Sequence, residues 1–88
     1  RVVHVHCKDV RPQVIAMARN ESWSFLTGVL NGVFTVPGDG AIDFAAVLAA
    51  LRTYGYTGWL VVEAEQDPAV APSYAYAKKG FETLRALI

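Results

Sequence analysis

With 88 residues, eight basic and eight acidic side chains and no net charge, the chain shows no electrostatic footprint for nucleic acid or an anionic membrane. Its single cysteine, Cys7, excludes an internal disulfide, and no apolar run approaches the ~20 residues that cross a bilayer. A hydrophobic share of 53% against 18% charged is rich for so small a chain, whose large relative surface calls for polar cover.

That composition reads as core cut from something larger. The chain opens at Arg1 on the apolar pair Val2-Val3, as though inside a strand. A fragment or processed piece, residues 1–88 of one larger domain, is therefore expected. No positively charged segment followed by an apolar run marks a signal peptide, so a cytoplasmic protein is expected.

Residues 2–8 alternate, with Val3, Val5 and Cys7 on one face and His4, His6 and Lys8 on the other, which predicts a strand with one polar face. After Pro12, Val14, Ile15, Met17 and Ala18 predict a short helical turn. Trp23, Leu26, Val29, Leu30 and Val33 then recur at helical spacing, with Ser22 as N-cap and Gly32 as stop. Residues 33–35 form a short extended run, closed by the tight loop Pro37-Gly38-Asp39-Gly40. Asp43 is expected to cap a helix through Phe44, Val47, Leu48 and Leu51 that ends at Gly55.

Residues 59–63 predict a second strand, with Val61, Glu63 and Glu65 on one face and Leu60, Val62 and Ala64 on the other. A final amphipathic helix begins near Pro72 and carries Tyr76, Ala77, Phe81, Leu84 and Ile88. The connection between the two strands is far too long for a hairpin, so they are expected to be parallel and joined by a crossover. The result is an α/β βαβα unit, open at this point to either a doubly wound sheet or a barrel.

In both architectures ligands bind at the C-terminal ends of the strands, and the polar residues collect there: His4, His6 and Lys8 on one strand, Glu63 and Glu65 on the other. Imidazole and carboxylate from neighbouring strand tips make a half-site for a divalent ion. A lone His6 reads equally well as a hydrogen-bonded strand-end histidine, but a stripe of polar groups on a packed face needs partners, which favours ligation. Glu63, preceded by four apolar residues, is costly to bury without a cation or donor and is the matching ligand. His4, one pleat deeper, is expected to support or pack, and Glu65 to be a solvated loop carboxylate. Lys8 is either a surface lysine or a group that orients or protonates a substrate oxygen. Cys7 has the opposite parity and is expected to pack against a helix. The Trp23, Phe25 and Phe34 group reads as core or lid packing. The Gly-containing loop lacks the Lys-Ser/Thr sequel of a phosphate loop, and no serine sits in a nucleophile elbow.

Three blocks make the residues more specific. Val5-His6-Cys7-Lys8-Asp9-Val10-Arg11, then residues 32–44 around Pro37-Gly38-Asp39-Gly40, then Glu63-Ala64-Glu65-Gln66-Asp67-Pro68 resemble, in this order, the inosose dehydratases of the xylose-isomerase-like barrel superfamily. The resemblance implies a (β/α)8 TIM barrel of which this chain is the C-terminal portion, about strands seven and eight with their helices. It implies a lyase that dehydrates 2-keto-myo-inositol, a polyol ketone, in inositol catabolism. His6 and Glu63 would then hold a divalent metal, Mn or Co before Zn or Mg. Lys8 would be catalytic, with Lys8 and Arg11 contacting substrate oxygens, and the remaining ligands and the general base would lie on earlier strands. An oligomer of full-length copies fits this class. A ketose 3-epimerase or a hydroxypyruvate or sugar isomerase shares the same metal-enolate chemistry. A non-catalytic fragment is the reading from another class.

Overall fold

The computed structural model describes residues 1–88. In chain order the elements are β1 (Val5–Cys7), β2 (Asp9–Val10), α1 (Pro12–Asn20), α2 (Phe25–Leu30), β3 (Phe34–Thr35), α3 (Phe44–Thr53), β4 (Leu60–Val62) and α4 (Ser73–Leu87). β1 and β4 pair in parallel, with Val5 beside Leu60, His6 beside Val61 and Cys7 beside Val62. The expected crossover is therefore present, and its two strands are neighbours.

Strand parity decides which face is covered. Cys7 forms the core with Phe44 and Leu48 of α3 and Leu84 of α4, and Val5, Leu60 and Val62 pack against it from the same face of the sheet. Cys7 is only 1% exposed and serves as the small hydrophobe that its parity implied. Burial raises the pKa of its thiol, because a thiolate there would lose its hydration. The opposite parity, which carries His6, Lys8, Val61 and Glu63, is left facing away from both helices.

The helices form where local chemistry starts and stops them. In α3, Phe44, Val47, Leu48 and Leu51 follow helical spacing onto the core, and the Asp43 carboxylate accepts the Ala46 N–H at 3.0 Å. Gly55 follows the C-cap Tyr54 with φ +73° and ends the helix as expected. α4 starts after Pro72 and packs closely on the sheet. A Cβ at Gly80 would lie 2.7 Å from a Val62 methyl and 3.1 Å from Val36 Cβ, so only glycine admits this approach.

Three expectations need correction. The helical turn after Pro12 is a full helix through Asn20, because Pro at its first position is pre-set for helical φ and surrenders no needed donor. The second helix starts at Phe25 and is capped by Ser24, whose Oγ accepts the Thr27 N–H at 3.1 Å; Ser22 instead takes a left-handed φ of 51° in the preceding turn. The strands are also shorter than the alternation suggested, and the extended run expected at residues 33–35 narrows to Phe34–Thr35. It pairs antiparallel with β2, Asp9 beside Thr35 and Val10 beside Phe34.

The largest concavity, about 970 Å³, lies at the N-terminal ends of β1 and β4 between Val2, Val3, Val47, Leu51 and Tyr56. It is mostly apolar and remote from the polar strand tips. No helix is long and apolar enough to cross a membrane.

Candidate active site at the strand tips

Register brings the polar stripe together. Continuing the pairing one step past Cys7 and Val62, the Glu63 N–H donates to the Cys7 carbonyl at 3.1 Å, which sets Lys8 beside Glu63 and His6 diagonal to it. His6 Nδ1 lies 3.0 Å from Glu63 Oε2, and Lys8 Nζ lies 2.8 Å from Glu63 Oε1. One carboxylate thus bridges an imidazole and an ammonium. Lys8 also donates to Glu65 Oε1 and lies 5.1 Å above the centre of the Phe34 ring. His4 packs edge-on against His6, with ring centres 5.0 Å apart.

The charges tune each other. The Lys8 ammonium hydrogen-bonded to Glu63 is the main cause that holds this carboxyl below its usual range; desolvation opposes it, and His6 adds to the lowering. Reciprocally, the hydrogen bonds to Glu63 and then Glu65 raise Lys8, so the ammonium form is favoured. Side chains this exposed, 38% for Glu63 and 42% for Glu65, gain little folding stability from pairing. Their clustering at a strand tip is therefore poorly explained by stability.

Arg11 stands apart from this group. Its guanidinium donates to the Gly32 carbonyl at 2.9 Å, to Thr35 Oγ1 at 3.2 Å and to Asp39 Oδ2 at 2.6 Å. It fastens the 32–39 segment to the end of β2. Lys79 of α4 reaches the other oxygen of Asp39 at 3.1 Å, and Gln66 reaches Thr35 Oγ1 at 3.4 Å. For Asp39, burial alone would raise the carboxyl; hydrogen bonds from Thr35, Lys79 and Arg11 outweigh it and leave the pKa lowered.

Asp9 was not singled out by the sequence reading, yet it is 0% exposed. One of its oxygens accepts the Val10 and Ile42 N–H groups at 2.8 and 3.0 Å, the other those of Gly38 and Gly40 at 3.3 and 3.1 Å. A Cβ at Gly40 would fall 2.3 Å from the Asp9 carboxylate, so the glycine loop is shaped around this acid. The signal was available: the alternation that turns Cys7 inward turns Asp9 inward too, and a buried carboxylate needs donors of the kind a Gly-rich loop offers.

In parallel α/β proteins ligands bind at the C-terminal strand tips, and it is there that this crossover unit gathers its acids, imidazole and ammonium. The chain belongs to the xylose isomerase-like TIM barrel family, whose model matches residues 1–87. It is 58% identical over 84 residues to the rhizopine catabolism protein MocC of Rhizobium meliloti, covering 96% of this chain and 26% of that protein. It is 56% identical over 85 residues to the inosose dehydratase of Histophilus somni (strain 129Pt), covering 97% of this chain and 28% of the relative. It is 52% identical over 88 residues to that of Geobacillus kaustophilus (strain HTA426), covering 100% and 29%. The chain thus spans under a third of the length of these curated relatives.

Proposed function

We propose that this chain is the C-terminal portion, about strands seven and eight, of a (β/α)8 barrel that dehydrates 2-keto-myo-inositol or a close polyol ketone with the help of a divalent metal. The observation that carries the reading is the approach of His6 Nδ1 to Glu63 Oε2, 3.0 Å apart on the face of the sheet turned away from the helices. Inosose dehydratases among the relatives supply the substrate class. A barrel needs eight strands, and the β1–β4 pair supplies two of them.

The donor set fits half of a metal site. One imidazole nitrogen and one carboxylate suit Mn²⁺, Co²⁺ or Zn²⁺, whereas no group of three or more His, Cys, Asp or Glu side chains converges within the chain. Further ligands would come from other strands. When bound, the ion would act as a Lewis acid toward the substrate's carbonyl and hydroxyl oxygens. Lys8 has three N–H donors; with its charge favoured by Glu63 and Glu65, it can donate to the hydroxyl that departs and hold a proton there. The Phe34 ring lies beside that ammonium, 5.1 Å from its centre to Nζ, and attracts its charge. Arg11, committed to Gly32, Thr35 and Asp39, would serve the substrate through the loop it anchors more than through free N–H groups.

The test is the full-length protein with His6→Ala and Glu63→Ala, assayed for bound metal and for dehydration of inosose. Loss of both properties in each variant is expected; unchanged metal content and turnover refute the assignment. Product analysis with inosose against ketohexoses separates dehydration from epimerisation or isomerisation, in which the same carbanion would be reprotonated instead of expelling hydroxide.

A further inference from the structure

Glu65 reads from sequence as a solvated loop carboxylate, and in the structure this loop side chain, 42% exposed, also pairs with the Lys8 ammonium. It shares the face of Glu63, one pleat further along, and its side chain has one polar partner in the structure, the Lys8 ammonium. Glu63 has two partners, Lys8 and His6. The two carboxylates therefore differ in commitment: Glu63 is shared between the imidazole and the ammonium, and Glu65 is given to the ammonium alone.

We propose that Glu65 is the positioning residue of this site, holding the Lys8 ammonium toward the substrate once Glu63 has turned its lone pairs to a cation. The inference rests on the function proposed above. An ammonium has three donors, and the carboxylates occupy two of them, leaving one for a substrate oxygen. A cation taken up by His6 and Glu63 would weaken the hold of Glu63 on Lys8, since both positive charges compete for one carboxylate. Lys8 is a long flexible side chain, and without a second anion it would lose its fixed direction. Glu65 supplies that anion, and the Phe34 ring, 5.1 Å from Nζ, limits the space into which the ammonium can swing.

The test uses the full-length protein loaded with Mn²⁺ and its variants Glu65→Gln, Glu65→Asp, Lys8→Met and the Glu65→Gln/Lys8→Met pair. Glu65→Gln is expected to lower kcat for inosose about tenfold with KM changed by less than about twofold, the pattern of an interaction that acts in the transition state. Mn²⁺ stoichiometry should stay at the wild-type value, Glu65→Asp should recover part of the rate, and Glu65→Gln should add no loss on top of Lys8→Met. The independent readout is NMR relaxation of the Lys8 side-chain nitrogen, which should become markedly more mobile in Glu65→Gln. Wild-type turnover in Glu65→Gln, loss of Mn²⁺ from it, or losses additive with Lys8→Met would each overturn the proposal. Should the unmutated protein fail to dehydrate inosose, the functional reading falls by itself. The mobility of the Lys8 nitrogen then decides this inference alone: unchanged on Glu65→Gln, it sinks it.

Discussion

Asp39 shows how a single side chain can bind a loop to two elements. Its carboxylate accepts from Arg11 and Thr35 on one oxygen and from Lys79 on the other. Because these partners hold its folded pKa below the ordinary value of 3.8, it contributes stability that is present above that value and lost as pH falls through the folded one. In urea titrations of the full-length protein, wild type should therefore exceed Asp39→Asn in midpoint at pH 6. The gap should narrow steadily once pH drops below about 4, where the unfolded carboxyl protonates. A gap independent of pH would show that the loop is held by shape and not by this charge.

Among the elements, α4 and the sheet meet most tightly at Gly80. Replacing it by Leu would drive a side chain into Val62 and Val36, and overpacking of this kind costs about 1–3 kcal/mol. A drop of that size in the denaturation free energy of Gly80→Leu, alongside little change for the exposed neighbour Lys79→Gln beyond its one contact to Asp39, checks the packing. Parity made much of this arrangement legible beforehand. Alternation alone placed Cys7, Leu60 and Val62 on one face and His6, Lys8 and Glu63 on the other, and those are the faces observed. Asp43 was recognisable as a cap because it immediately precedes an apolar helical period. The β2–β3 pair was not legible, since strands of two residues carry no period to read. Nor was the start of α2: Ser22 and Ser24 are equivalent as caps in sequence, and the turn geometry chose between them. The contacts of Arg11 and Glu65 depend on which side chains the loops bring near, a matter of tertiary structure that composition and spacing do not encode.

At the scale of the whole molecule, two parallel strands are covered by α3 and α4 on one face and present charged groups on the other. A sheet of this kind is finished only when further strands and side chains close the polar face. If a divalent ion is shared across that face, it binds the folded state and stabilises it by mass action, about 2.7 kcal/mol at a hundredfold excess over its Kd. Chelation of the full-length protein should lower the Tm of wild type by several degrees, and the Tm of Glu63→Ala should be insensitive to the same treatment. Equal shifts in both would mean that the stabilising ion sits elsewhere.

The most direct test is an anomalous-scattering map of the full-length protein crystallised with Mn²⁺. One strong peak is expected within coordinating distance of both the His6 ring and the Glu63 carboxylate. A metal bound away from these two residues, or an imidazole and carboxylate still hydrogen-bonded to each other at saturating Mn²⁺, would contradict the assignment.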